Sequence, residues 1–128
     1  MIILSGVDLA SVAEVNALAA DSFTRDRIWT VREQKSHADY PERRAGQWAA
    51  KEAVMKVLGA GVGTINLQDI EIVGPEGERP TAVLSGSALE LCHRLGISSV
   101  SISITHELGA AVAVAVALAD EGGRTDDN

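Results

Sequence analysis

Glu52 and Lys56 are the residues of this chain best spaced for chemistry. They stand four apart in Gln-Trp-Ala-Ala-Lys-Glu-Ala-Val-Met-Lys-Val-Leu-Gly-Ala-Gly, residues 47–61. In a helix that spacing puts one side chain above the other on one face. Such a pair has two uses. As an exposed ion pair it adds only about 0.3–0.5 kcal/mol. Facing a ligand, the carboxylate holds a divalent cation or takes a proton, and the ammonium neutralises a phosphate oxygen. Trp48, Ala49 and Met55 lie three or four positions from one or the other, so the pair is on or near a face that also carries apolar residues. The helix alone does not choose between the two uses. A second acidic residue from elsewhere in the chain would.

The helix that must position the pair has a start and a stop. Pro41 suits a first turn, where its missing N–H costs nothing. Ala, Lys, Glu, Met and Leu then give strong helix propensity, and the helix is expected over about residues 42–58. Gly59 suits the left-handed position that closes a helix, and Gly61 and Gly63 keep the next loop open.

Composition narrows the class. The 128 residues are enough for one core, and 46% are hydrophobic but only 3% aromatic, so Val, Ile, Leu and Ala must fill it. Eighteen acidic against eleven basic residues give a net charge of −7, which argues against a nucleic-acid partner. A local basic site for a phosphorylated small molecule is compatible with that total. The single cysteine, Cys92, rules out an internal disulfide and a multi-cysteine metal site. The apolar start at Met1 is too short for a signal peptide and lacks a basic leader, and no run is long enough to span a bilayer. A cytoplasmic protein with no membrane partner is expected.

The remaining elements follow in order. A strand is expected over residues 2–9, ending on Gly6-Val7-Asp8-Leu9, with Asp8 among apolar neighbours. Alone, Asp8 reads as a cap or turn residue after a strand. Ser11 and Glu14 have capping-box spacing for a first helix with Val12, Val15, Leu18 and Ala19 as its stripe. Residues 21–40 are polar, with a second capping box at Thr30 and Glu33. After the long helix the period becomes two. Strands are expected over 67–73 and 81–84 around a turn at 74–77, which makes a hairpin. Ser87 and Glu90 suggest a cap for a helix ending near Leu95, with Gly96 just outside. Residues 99–105 alternate Val100, Ile102 and Ile104 against Ser101, Ser103 and Thr105. A turn at His106-Glu107-Leu108-Gly109 leads into 110–118, where Ala alternates with Val. The small face there admits a close helix or another subunit. The fold class expected is α+β: one small domain over residues 1–119, a largely antiparallel sheet packed on the long helix, and a disordered polar tail over 120–128. Gly59-Ala60-Gly61-Val62-Gly63 is no dinucleotide motif, because it follows a helix.

Three separated stretches now combine: Gly-Val-Asp-Leu at 6–9, Trp-Ala-Ala-Lys-Glu-Ala-Val-Met-Lys-Val-Leu-Gly-Ala-Gly at 48–61, and Ser-Ile-Ser-Ile-Thr-His at 101–106. Together they resemble the holo-acyl-carrier-protein synthase type of 4'-phosphopantetheinyl transferase, over about residues 3–118. The middle stretch is the specific one. The resemblance implies a 4'-phosphopantetheinyl transferase-like fold and transfer of the phosphopantetheine arm of coenzyme A to a serine of an acyl carrier protein, with release of 3',5'-ADP. It implies Mg²⁺ on Asp8 and Glu52, with Glu52 as candidate base and Lys56 on the phosphate. It implies that Gly59 and Gly61 let backbone pass close to the substrate, and that Arg79, Pro80, Thr105 and His106 line the coenzyme A pocket. It also implies a homotrimer with sites shared between subunits. By itself, His106 reads as a turn or core-edge residue at a strand end.

The chain departs from the family pattern at several places. Gln47 stands where relatives usually carry an arginine, and Arg43 and Arg44, one turn earlier, are the candidates to replace it. The segment before the long helix is shorter than usual. Thr105 stands where serine is usual. The first helix offers Glu14 and Asp21, where relatives present arginines to an acidic carrier; Arg25 and Arg27 come later. Two rival readings remain open at this point: a non-catalytic relative acting as a binding or assembly module, and an unrelated small trimeric α+β enzyme with another phosphorylated ligand.

Overall fold

Pro41 occupies the first position of an 18-residue helix, and Gly59 ends it at φ 66°. This helix, α4 (Pro41–Leu58), is the centre of the molecule. The computed structural model describes residues 1–61, 63–75 and 78–120. Around α4 come β1 (Ile2–Ser11), α1 (Val12–Ala20), α2 (Ser22–Ile28), α3 (Val31–His37), a 3-10 turn (Leu67–Asp69), β2 (Ile70–Val73), β3 (Thr81–Leu84), α5 (Gly86–Leu95), β4 (Ile97–Glu107) and β5 (Ala110–Ala119). The fold is α+β. Its strands form two antiparallel sheets, one of order β1-β5-β4 and a separate pair β2-β3.

The larger sheet packs on α4 through small residues. Ala111, Ala113, Ala115, Ala117 and Ala119 of β5 are all buried, while Val114, Val116 and Leu118 on the other side of the strand are exposed. Thus α4 takes the small face of β5. On β1 the close contact is at Gly6, where a Cβ would lie 2.2 Å from the Ala53 carbonyl oxygen and 2.9 Å from Lys56 Cβ. Only glycine allows that approach. Ile3, Val7 and Leu9 of β1 point the other way, so the sheet has a second face of exposed apolar residues.

The local signals worked where side chain and backbone agree. The Thr30–Glu33 capping box is complete, and Ser11 accepts from the Glu14 N–H at the start of α1. Four expectations need correction. Residues 67–69 form a 3-10 turn and not a strand, because the Asn66 side chain accepts from the Gln68 N–H and draws the chain into a turn. Helix α5 is capped at Ser85, without a side-chain bond, and not at Ser87. The Ser87 N–H and hydroxyl both donate to Asp69 Oδ2 instead. The polar stretch 21–40 holds an additional helix, α2, capped by Asp21 on the Thr24 N–H. The last sheet strands run longer than 99–105 and 110–118, and β4 carries a bulge between Ile97 and Val100. Of the turn expected at 74–77, residues 76 and 77 lie outside the described residues, as do 121–128 of the expected tail. Among the described residues no helix is long and apolar enough to cross a membrane.

Candidate active site

Asp8 faces α4 from β1, two residues beyond the Gly6 contact. Lys56 reaches back across that contact from the last turn of α4. Its ammonium donates to the Val7 carbonyl at 2.7 Å and to Asp8 Oδ1 at 3.3 Å. Glu52 lies one turn before Lys56. Partial burial, then the Asp8 charge, raise the Glu52 pKa above the ordinary carboxylate value, and Lys56 opposes this. These directions are those of a partly buried carboxylate set between a like charge and a cation. The three residues therefore form one cluster, partly open to solvent. Gly59 and Gly61 follow directly on the helix end, and a side chain at either would meet nothing within 4 Å.

The two carboxylates are an oxygen-only donor set, which fits a hard divalent cation. Among the described residues no group of three or more His, Cys, Asp or Glu side chains gathers to hold an ion. Two carboxylates without a third protein ligand match Mg²⁺, which keeps waters and substrate phosphate oxygens in its shell.

A second group of predicted residues gathers elsewhere. Arg43, Pro80 and His106 line a pocket with Gly46 and Gln47 of α4, Ile72 to Pro75 of the hairpin, and Ile104 of β4. The Arg43 guanidinium donates to the Gly74 carbonyl across this pocket. Gly46 leaves room for Ile104, whose Cγ2 would be 2.9 Å from a Cβ there. The two groups do not meet within one chain. Arg43 and Glu52 are nine residues apart, about two and a half turns, so they project from opposite sides of α4, about 14 Å apart along its axis.

Three predicted residues lie outside both groups. Thr105 is exposed and pairs with Val112, whereas its neighbour His106 points to the α4 side, so the two lie on opposite faces of the sheet. Arg79 lines a shallow groove on the open face, with Ser101, Ser103, Val114 and Val116. Arg44 turns to α1, where its Nη1 donates to Asn16 Oδ1 at 2.8 Å.

Residues 5–117 match the 4'-phosphopantetheinyl transferase superfamily. The chain belongs to that family. It is 42% identical over 113 residues to a holo-[acyl-carrier-protein] synthase of Frankia casuarinae, covering 88% of this chain and 93% of that one. It is 34% identical over 125 residues to the synthase of Natranaerobius thermophilus, covering 94% of this chain and all of that one. Its fold superposes on the Helicobacter pylori holo-[acyl-carrier-protein] synthase in complex with coenzyme A at a TM-score of 0.77. There the sequence identity is 30%, covering 90% of this chain and all of that one.

Two buried polar groups of this transferase-family chain escape a reading of the sequence. Gln47 donates from Nε2 to Ser36 Oγ at 2.8 Å, which leaves its Oε1 to accept from His37 Nδ1 at 2.6 Å. Burial holds the His37 pKa below its usual value, against the Gln47 bond. The second group is an ion pair. Lys51 Nζ lies 2.9 Å from Glu33 Oε1, and both side chains are fully buried. Lys51 stands beside Glu52 in the most specific motif, yet a lysine there gives no sign that it points inward. Burial lowers its pKa and Glu33 raises it.

Proposed function

We propose that this protein transfers the 4'-phosphopantetheine arm of coenzyme A to a serine of an acyl carrier protein. The observation that carries the reading is the Asp8–Lys56–Glu52 cluster, held between β1 and α4 in a chain of this family. The serine oxygen attacks the β-phosphorus, the bond from that phosphorus to the bridging oxygen breaks, and 3',5'-ADP leaves with the bond's electrons. Glu52 takes the serine proton, directly or through a water. Lys56 neutralises charge on the phosphate oxygens and assists the leaving group. Gly59 and Gly61 leave the helix end open to the substrate.

Asp8 and Glu52 are the residues that would hold Mg²⁺. Bound there, the ion would supply a positive charge to the pyrophosphate oxygens. The pocket lined by Arg43, Pro80 and His106 is assigned to the nucleotide end of coenzyme A. Because Arg43 and Glu52 project from opposite sides of α4, one chain does not complete the site. A homotrimer does, with the cluster of one subunit facing the pocket residues of the next. The exposed apolar face made by Ile3, Val7, Leu9, Val114, Val116 and Leu118 supports this assembly, since a closed ring buries such a face. On that face lie Thr105 and the groove at Arg79, which in this reading meet the neighbouring subunit. The cytoplasm, where coenzyme A and carrier proteins meet, is the compartment that goes with this reading.

Mass spectrometry tests the proposal. Apo carrier proteins are incubated with the protein, coenzyme A and Mg²⁺. A carrier serine that gains the phosphopantetheine arm, with 3',5'-ADP released in equal amount, is the expected result. No gain on carriers of either high or low acidity would overturn it.

A further inference from the structure

The hairpin β2-β3 needs an anchor. A two-stranded hairpin is marginal by itself in water, and no strand pairs the other edge of β2 among the described residues. Two buried side chains take that edge. Lys51 Nζ donates to the Leu67 carbonyl at 2.9 Å and to the Ile70 carbonyl at 2.6 Å. The Ile72 N–H donates to Glu33 Oε2 at 2.8 Å. Glu33 Oε1 in turn accepts from the Thr30 N–H at 2.9 Å and from Lys51. The pair is therefore fully hydrogen-bonded and joins α3, α4 and β2 in one unit. What it holds in place is one wall of the pocket. Ile72, Val73 and Gly74 form that wall, and Arg43, Gly46 and Gln47 of α4 stand opposite. Lys51 is one turn beyond Gln47, so the anchor sits next to the gap between the walls.

We infer that the Glu33–Lys51 pair is a positioning device that sets the gap between α4 and the β2-β3 hairpin, and through it the affinity for the nucleotide end of coenzyme A. The inference rests on the assignment of that pocket to the nucleotide. Neither residue reaches the reacting atoms; both act through the wall they hold. Loss of the pair should therefore weaken ground-state binding and leave the chemical step alone.

The test uses the full chain and a double variant, Glu33→Gln with Lys51→Met, which removes both charges together so that neither is left buried alone. Calorimetry measures 3',5'-ADP binding, and steady-state kinetics measure kcat with KM for coenzyme A and for the carrier. At a temperature where the variant is folded, the Kd for 3',5'-ADP and the KM for coenzyme A should rise together by about tenfold, with kcat and the carrier KM little changed. If the double variant does not fold, Glu33→Asp, which keeps both charges but shortens the reach to Ile72, is judged by the same split, with a smaller rise. Wild-type affinity and KM in a folded variant would overturn the inference, as would a fall in kcat with no change in KM. A wild-type protein that binds no 3',5'-ADP would instead remove the pocket assignment, and the inference with it.

Discussion

Lys56 links the two elements that carry the acidic residues: its ammonium is 2.7 Å from the Val7 carbonyl and 3.3 Å from Asp8 Oδ1. Its side chain is 55% exposed, so the pair contributes at most about 1 kcal/mol to stability. Its value lies in placing a cation beside two carboxylates. Lys56→Met should lower kcat/KM by about 10²–10³ while leaving the melting temperature nearly unchanged, the loss expected when one stabilising charge is removed from a reacting phosphate. Asp8→Ala and Glu52→Ala should cost at least as much. Titration calorimetry in the presence of coenzyme A should show weaker Mg²⁺ binding in both.

Gly6→Ala is the substitution expected to harm both fold and activity. The new Cβ would meet a backbone oxygen at 2.2 Å, which no side-chain rotation relieves. Moving α4 away from β1 costs about 1–3 kcal/mol or more and separates Glu52 and Lys56 from Asp8. Thermal melting and transfer assays should fall together, in contrast to the Lys56 variant.

Assembly is tested on the exposed face of the sheet. Val116→Lys places a charge in the middle of that face without touching the alanine face under α4. Analytical ultracentrifugation should show a trimer for the wild type and smaller species for the variant. Activity should fall in proportion to the trimer lost. A fully active monomer would remove the shared-site model.

Stability should depend on pH through His37. Burial depresses its pKa in the fold. The neutral ring is therefore the form the fold holds. The stability it brings is present above the ordinary histidine pKa and is lost as pH falls from there through the depressed value. His37→Gln should be about 1 kcal/mol less stable at neutral pH, from the weakened Gln47 bond, yet should lack this part of the acid slope. Denaturant melts of both proteins between neutral and mildly acidic pH give the difference.

Carrier preference is tested on α1. Its first turn carries Glu14, and Asp21 at its end is engaged in capping α2. Like charges across an interface slow encounter and cost affinity. Rates across carriers of graded acidity should favour the less acidic ones, and Glu14→Arg should raise the rate with the most acidic. A wild-type protein that already prefers the most acidic carrier, and a variant that changes nothing, would show that Arg25, Arg27 and Arg32 do the docking.

What was legible in the sequence was whatever a single element states by itself. The long helix announces itself between Pro41 and Gly59, and the Ala/Val alternation gives β5 its two faces. The capping box at Thr30 and Glu33 starts α3 where its spacing says. The rest depends on partners far along the chain. Glu33 completes its box with one oxygen, but its other oxygen goes to Ile72, and only the folded chain reveals that. Lys51 looks like any solvated lysine until three acceptors surround it. Helix α2 carries no apolar stripe and depends on its Asp21 cap. For the candidate site, the motifs singled out Asp8, Glu52 and Lys56, and the fold places these three near one another. They did not indicate that Thr105 and His106, adjacent in sequence, would part to opposite faces of one strand, although period two requires it.

The alanine layer beneath α4 has one more consequence. Asp8 stands on the sheet and Glu52 on the helix, and where β1 crosses α4 the bare Cα of Gly6 lets the Ala53 carbonyl oxygen and the Lys56 Cβ come close. A leucine at this crossing could relax by changing its rotamer; Gly6 and the alanine face of β5 have none to change. The approach of the two backbones is thus set by main-chain radii, like a gauge block. Enlarging Ala113, which pairs with Asp8 in the register, would reset that gauge without altering either acid, and in the proposed metal site should change which size of cation is preferred.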